Sequence, residues 1–546
     1  MPRRATAALL AAAAASAAAA PNIVMIVADD LGWAELGFQN ASKGLQTPNL
    51  DAMRDGGARL TRYYTAPLCS PSRGALMTGM YPFRLGLQAN VVYWDTPWAP
   101  NATLAFLPAV LKASAGYGRT GMFGKWHLGM HRQEAYPTAR GFDEFEGYLQ
   151  GCGSPGTHVA SCCAAPPGQG ALNTTGFVCP APSNGGEDFR GYDWFTGTTA
   201  DTAANRTRST DIVAARAEAF LARSAGERAG APGGAPPFFL YLPFQNIHAP
   251  YDCAPESYAR FAGLGLSVEQ AVIYGYIYEL DAAVGRVVAA LRAGGLLNDT
   301  VIVFVSDNGA PAEPSVLGRN YPLRGYKAQV WEGGTRVPAL VVGPNQGVVP
   351  GATVDALMHV TDWAPTLLAA AGVADPASAM GHPLDGVNMW PLLAQAAAGA
   401  AAVGAQPPPP PRADVVVNIN PLCAGGQFGA PKAALIAGDL KLVCWCYAVV
   451  GIDNATRTGC VGDPAAPPGT WPQLFNLTAD PGEQVNLAPA QPAAVAALEA
   501  RLAGYAAGSV EPMQWVPPFQ GPGYACAACP RHPPGGDPAA PWEAWL

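Results

Sequence analysis

Three stretches of the chain are apolar almost without a break: residues 22–28, 238–244 and 300–306. None shows the period-two alternation of a half-exposed strand. Each is short, which marks strands covered on both faces rather than buried helices. A shorter run, Gly121-Met122-Phe123, has the same character. Between them the period lengthens. Residues 103–115 carry a helical pattern closed by Gly116, and 361–371 carry another, capped by Thr361 or Asp362 and ended by Gly372. Residues 268–291 have apolar positions at helical spacing over about six turns. Strands alternating with helices predict an α/β sandwich around a mainly parallel sheet. Further on, 433–436 and 440–444 are strand-like and joined by Ala437-Gly438-Asp439, the pattern of a hairpin. A Pro407–Pro411 run follows an Ala/Gly-rich stretch and marks a linker or exposed loop. The predicted division is a leader at 1–20, a large domain at 21–400, the linker at 401–412 and a smaller domain at 413–546.

The leader has the build of a signal peptide. Arg3 and Arg4 precede an apolar run from Ala7 to Ala15, and small residues continue to Ala20. The run is too short and too weakly apolar for a membrane span, and no later segment reads as one. Seven Asn-x-Ser/Thr sequons, at Asn40, Asn101, Asn173, Asn205, Asn298, Asn454 and Asn476, make these residues glycosylation candidates. Twelve cysteines cluster mostly outside the apolar runs and are expected to form disulfides in an exported chain. The expected location is the secretory pathway, with an extracellular or lysosomal destination. With 13% charged and 49% apolar residues the body is globular. A net charge of −8 gives no basic stripe and argues against nucleic acid as a partner.

Each apolar run stops at polar groups suited to chemistry. The first ends in Asp29-Asp30, the second in Gln245-Asn246-Ile247-His248 and the third in Asp307-Asn308-Gly309. The short run leads into Gly124-Lys125-Trp126-His127. Ligands of open α/β sheets bind beyond the carboxyl ends of the strands, so one site is predicted from four distant segments. Its carboxylates and amide oxygen form a hard donor set suited to Ca²⁺ or Mg²⁺. Either acidic pair taken alone is equally a cap or turn. Pro67-Leu68-Cys69-Ser70-Pro71-Ser72-Arg73-Gly74 sets a cysteine at the entrance to a short helix with an arginine one turn on. That is a setting for an anion or a thiolate. In an exported chain, a structural cysteine is the competing reading.

The Cys69 segment resembles the signature of the formylglycine-dependent sulfatase family, Cys-x-Pro-x-Arg. Ala28-Asp29-Asp30-Leu31-Gly32-Trp33, Gly124-Lys125-Trp126-His127-Leu128-Gly129, Ser306-Asp307-Asn308-Gly309, Pro322-Leu323-Arg324-Gly325-Tyr326-Lys327 and the 474–483 segment look like further sulfatase motifs in family order. The resemblance implies an alkaline-phosphatase-like sandwich with a smaller C-terminal α+β domain built on an antiparallel sheet. It implies a sulfuric ester hydrolase of arylsulfatase type whose Cys69 is oxidised to formylglycine by the formylglycine-generating enzyme. One hydroxyl of the aldehyde hydrate then attacks sulfur, and the other expels sulfate as the aldehyde reforms.

By the same resemblance, Asp29, Asp30, Asp307, Asn308 and the modified Cys69 hold one Ca²⁺, in preference to Mg²⁺. Arg73 holds the formylglycine. Lys125 and Lys327 clamp the sulfate. His127 takes a proton in the elimination, and His248 or Lys327 protonates the leaving oxygen. The substrate is a sulfated carbohydrate or an aryl sulfate. Asn90-Val-Val-Tyr-Trp, Arg140-Gly141-Phe142-Asp143 and Trp331-Glu332-Gly333-Gly334 are most similar to the arylsulfatase B (N-acetylgalactosamine-4-sulfatase) branch. Departures fall near the substrate side: a Cys/Gly/Pro-rich insertion at 152–195, Ala249 where the branch has Glu, and Ala310 where it has Gly. Hydrolysis of phosphate or phosphonate esters, and a non-catalytic extracellular glycoprotein, are the competing functions. The first favours a Thr or Ser nucleophile with a His-rich metal set, and the second requires loss of a sulfate-binding residue.

Overall fold

The computed structural model describes residues 20–39, 44–93, 96–160, 191–231, 234–312, 319–395, 410–422, 431–450, 452 and 458–513. The expected leader other than Ala20, residues 401–409 of the expected linker, residues 161–190 of the insertion, and the sequons at Asn40, Asn173 and Asn454 lie outside them.

Ten strands form the main sheet: β1 (Asn22–Ala28), β2 (Ala58–Leu60), β3 (Arg119–Lys125), β4 (Glu144–Tyr148), β5 (Phe195–Thr196), β6 (Thr199–Ala200), β7 (Phe238–Pro243), β8 (Thr300–Ser306), β9 (Ala339–Val342) and β10 (Ala352–Val354). Their order is β10-β2-β9-β8-β1-β7-β3-β4-β5-β6. The five strands β8-β1-β7-β3-β4 are parallel, and β9 and β5 run antiparallel to their inner neighbours.

The unbroken apolar runs have a direct cause. In β1, Ile23, Met25 and Val27 face one core, with α1 (Cys69–Thr78), α2 (Leu107–Ala115) and α5 (Trp363–Ala370) on that side. Val24, Ile26 and Ala28 face the opposite core, against α3 (Ser209–Gly230) and α4 (Val268–Ala293). Alternate side chains thus enter two different cores, and neither set meets water. The register aligns Ala28 with Ser306 and Val27 with Pro243, so the segments after β1, β7 and β8 emerge side by side.

Two helix boundaries differ from the sequence expectation. The 103–115 helix begins at Leu107, with proline at its second position, a place where a missing N–H costs little. Residue Thr103 instead folds onto Asn101, whose side-chain oxygen accepts from its amide and hydroxyl, both at 3.0 Å. The 361–371 helix is α-helical only from Trp363. The preceding tight turn is capped by His359, whose ring accepts from the Thr361 amide while Asp362 accepts from the His359 amide.

The C-terminal sheet has strands β11 (Asp414–Asn418), β12 (Ala433–Ala437), β13 (Leu440–Cys444) and β14 (Gln473–Asn476), all antiparallel in that order. The expected hairpin is β12–β13, turning at Gly438 with φ +57°. Helix α6 (Pro492–Ala506) covers one face through Leu498 and Leu502. The other face, including Val415, Val417, Ile436, Val443 and Phe475, packs on Tyr64, Trp331 and Leu357 of the large domain.

Cys444 and Cys460 form a disulfide, and Cys152 and Cys446 are also disulfide-bonded. Among the described residues Cys69 and Cys253 are free and buried. Among the described residues no helix is long and apolar enough to cross a membrane.

Candidate active site

Cys69 is the first residue of α1, whose ten residues are all buried. Its Sγ lies 3.6 Å from Asp29 Oδ1 at the end of β1. One turn later, Arg73 donates to Asp307 Oδ2 from Nη2 at 2.7 Å and from Nε at 3.0 Å, and to the Lys125 carbonyl at 3.2 Å. One guanidinium thus ties the segment after β8 to the end of β3. Helix α1 can enter this crowded place because a Cβ at Gly74 would stand 2.8 Å from Leu87.

The acidic groups are paired with three cations. Lys125 Nζ sits 2.6 Å from Asp29 Oδ2, and Lys327 Nζ sits 2.7 Å from Asp30 Oδ1. Burial, reinforced by Asp307, pushes the Asp29 carboxyl up to about 7 although Lys125 and Arg73 oppose it. Burial also acts upward on Asp30, but Lys327, His248 and Lys125 overcome it and hold that carboxyl well below the usual range. Asp307 is likewise held low against burial, chiefly by Arg73. The neighbouring carboxylates therefore share a site without both becoming neutral.

Asp29, Asp30, Cys69 and His248 place ligand atoms within 4.8 Å of one another. Asn308 joins Asp30 by donating from Nδ2 to Oδ1 at 2.7 Å, and its own Oδ1 is buried without a partner. An unpartnered buried carbonyl oxygen beside two carboxylates fits a hard cation. Asp307 is turned toward Arg73, while its Oδ1 accepts from the Asp30 amide at 3.2 Å. The lysine ammoniums meanwhile satisfy the carboxylates that a cation would also draw on.

The thiol itself is not activated. Burial and Asp307 raise it far above the ordinary range, so the helix entrance does not produce a thiolate here. The thiolate setting expected from the helix terminus is corrected by burial and by the carboxylates that face it.

Two histidines complete the site, both with depressed basicity. His127 is buried with φ +59°, a left-handed backbone that few non-glycine residues adopt. Its Nε2 lies 3.0 Å from the Val92 carbonyl, and Nδ1 has no partner. Burial, then Lys125 and Arg73, push it well below 6.5 and keep it neutral. His248 has Nε2 3.7 Å from Asp30 Oδ2 and Nδ1 2.5 Å from the Ala249 carbonyl. Burial and Lys327 lower it to about 3, with Asp30 opposing. At rest His248 is therefore neutral. Since a carbonyl only accepts, Nδ1 carries the proton and Nε2 faces the carboxylate.

The structure thus gathers all the catalytic and metal candidates read from the sequence. Sequence reasoning missed their supports. Val92 fixes the His127 ring and lies in a motif that was legible. Gly151 backs that ring closely: a Cβ there would stand 2.6 Å from it. Asp193, buried, accepts from the amides of Leu149 and Gln150, both at 2.9 Å, and so pins the loop that carries Gly151. No local signal in the sequence marks either residue. Among the sequons, Asn101, Asn205 and Asn298 are exposed, and Asn476 is half-buried with its side-chain oxygen engaged by the Thr478 and Ala479 amides.

The chain resembles mouse arylsulfatase J, at 30% identity over 89% of this chain and 75% of that protein. It resembles human arylsulfatase A at 32% over 86% and 83% of the two chains. With human N-acetylgalactosamine-6-sulfatase it shares 33% over 69% and 66%. Among solved structures, Ps i-CgsB in complex with k-i-k-neocarrahexaose superposes with a TM-score of 0.67 at 26% identity, covering 90% of this chain and 94% of that one. A phosphonate monoester hydrolase of Agrobacterium radiobacter shares the fold, with a TM-score of 0.53 at 19% identity over 89% and 95% of the two chains. The Sulfatase family model matches residues 21–373. With that match, and with the arylsulfatases among its relatives, the chain belongs to the sulfatase family and is a hydrolase of sulfate esters.

Proposed function

We propose that this sulfatase acts on sulfated carbohydrate through a formylglycine made from Cys69, with Ca²⁺ held by Asp29, Asp30, Asp307 and Asn308. The observation that carries the reading is the setting of Cys69. Its sulfur lies against Asp29 among three carboxylates and three cations, yet its thiol is held protonated. A protonated thiol is a weak nucleophile, whereas an aldehyde hydrate at that position supplies one hydroxyl for attack and a second whose deprotonation releases the product. A divalent cation supplies charge neutralisation and acidifies a hydroxyl beside it. Oxygen donors favour Ca²⁺ or Mg²⁺ over zinc.

The chain's own groups then have distinct tasks. Arg73 holds Asp307 and the main chain at Lys125 in register with Cys69. Lys125 and Lys327, fixed over the carboxylates, present positive charge toward a bound sulfate, preorganised for the transition state. His127 offers the Nδ1 lone pair as the base for the second hydroxyl. His248, neutral at rest, becomes a proton donor to the leaving oxygen only when an anionic ester raises its basicity. Lys327, already charged, is the alternative donor.

Cys69 and Arg73 are both buried, so the formylglycine-generating enzyme must reach this segment before the chain folds. The signal peptide, the exposed sequons Asn101, Asn205 and Asn298, and the disulfides support passage through the secretory pathway, outward or to lysosomes. The relatives include arylsulfatases and a 6-sulfatase, so N-acetylgalactosamine 4-sulfate is one sulfated sugar among several to test.

Peptide mass spectrometry of protein from a host with the modifying enzyme should find formylglycine at position 69. Cys69→Ala should keep the fold and lose turnover of an aryl sulfate. Unmodified cysteine in a protein that turns over the ester at full rate would overturn the formylglycine assignment.

A further inference from the structure

The C-terminal sheet meets the large domain at a buried charge cluster. Lys441 on β13 has Nζ 2.9 Å from Glu332 Oε1 and 2.9 Å from Glu483 Oε1, and all three side chains are inaccessible. Glu483 Oε2 also accepts from the Glu332 amide at 2.8 Å, and Tyr64 donates to Glu332 Oε2 at 2.9 Å. The Glu483 main-chain oxygen accepts from Arg324 Nη1 at 2.8 Å. Glu483 reaches both with φ +53°, a conformation that holds only where its surroundings enforce it.

These contacts converge on two segments of the active site. The Gly333 amide donates to the Arg324 carbonyl at 2.7 Å, and the Gly309 amide donates to the Gly334 carbonyl at 2.9 Å. The approach is so close that a Cβ at Gly309 or Gly333 would collide with the facing main chain. The Glu332–Gly334 turn is therefore wedged between the loop that ends at Lys327 and the loop that begins at Asp307 and Asn308. The loop that ends at Lys327 is tied down from both domains, since Arg324 is held by Glu483 and stacks on Trp331, its carbon Cζ 3.8 Å from the ring centroid.

We propose that Glu483 and Lys441 are positioning residues of the active site. Through Glu332 and Arg324, the C-terminal domain sets where Lys327 meets the sulfate and where Asn308 meets the cation. The inference rests on the roles assigned above to Lys327 and Asn308. A displacement of about 1 Å in such groups costs on the order of a hundredfold in rate when chemistry depends on them.

Three variants test it: Arg324→Met, whose half-buried side chain can lose the contact while the fold persists; Glu483→Gln; and Lys441→Met with Glu483→Gln, which removes one charge of each sign. In the formylglycine-bearing protein, kcat for an aryl sulfate should fall about tenfold or more with KM changed less than about threefold. The Ca²⁺ concentration giving half the maximal thermal shift should rise about tenfold, read with Ca²⁺ alone and no substrate. A merely structural cluster would lower the melting temperature and leave both quantities as in the parent. Parental kcat and Ca²⁺ response in every folded variant, Arg324→Met included, overturn the proposal. Absence of any Ca²⁺ shift in the parent would instead overturn the cation assignment, and kcat would still decide the positioning role.

Discussion

The His127 ring nitrogen Nε2 lies 3.0 Å from the Val92 main-chain oxygen, and that oxygen can only accept. The contact fixes the tautomer, placing the proton on Nε2 and the free lone pair on Nδ1, the buried atom without a partner. A neutral imidazole so oriented is a base and not an acid. His127→Ala should therefore leave the first half of turnover faster than the second. Stopped-flow assays should show a burst of about one aryl alcohol per site, followed by steady turnover slower by about 10²–10⁴. Equal loss in both phases would place His127 elsewhere in the reaction.

Gly151 tests the same ring from the other side. Its Cβ position is 2.6 Å from the imidazole, and its loop cannot retreat freely because Asp193 holds the two preceding amides. Gly151→Ala should shift the ring and lower kcat by about tenfold or more, on the scale of small misplacements. The melting temperature should change by only a few degrees, as expected for about 1 kcal/mol. A variant with parental kcat would show that the loop yields.

Chelation should reveal the cation through stability as well as rate. Asp29, Asp30 and Asp307 are buried and repel one another, and Asn308 Oδ1 lacks a partner. Protein stripped with a chelator should melt earlier and regain stability as Ca²⁺ is added. Ligand at a hundredfold over Kd contributes about 2.7 kcal/mol. Asp30→Asn should shift the half-saturating Ca²⁺ concentration upward at least about tenfold. A melting curve indifferent to Ca²⁺ in both proteins would remove the metal from the site.

The legible part of this protein was the part that obeys local rules. Residues 22–28 and 300–306 read as strands because alternate side chains enter two dry cores, which confines polar residues to the ends of the runs, at Asn22, Thr300 and Ser306. Their polar termini could then be assigned to one end of a sheet before any pairing was known. The pairing itself was not local: the second residue after β1, Asp30, meets Asp307, more than 270 positions away. The strands on the β10 side of the sheet, β2, β9 and β10, of which β9 alone runs antiparallel to the centre, are only three or four residues long and left no pattern. The cap at His359 was missed because a histidine replaced the usual short polar side chain. Lys441 and Asp193 carry no motif at all. Their meaning comes from the backbone amides and charges that tertiary packing brings to them. The basicity of Cys69 was misjudged for a related reason. A helix terminus and an arginine are visible in sequence, but burial, and after it Asp307 just beyond β8, oppose them.

Asp193 gives the pH dependence that is simplest to assign, since its causes are few. Burial raises its carboxyl to about 6, while the Leu149 and Gln150 amides pull it down. An unfolded Asp titrates near 3.8. The folded state therefore holds this proton more tightly than the unfolded state. Its contribution to stability is fully present below about 4 and is lost as pH rises through about 6, with a slope of at most about 1.4 kcal/mol per pH unit. Asparagine keeps the shape and has no proton to lose. Asp193→Asn should accordingly gain stability relative to the parent as pH rises from 4.5 to 7, whatever its absolute melting temperature. Paired urea or thermal unfolding at those two pH values measures the difference directly. A gap that stays constant, or that narrows in the opposite direction, would mean that the Asp193 carboxyl is ionised throughout, with the two amides outweighing its burial.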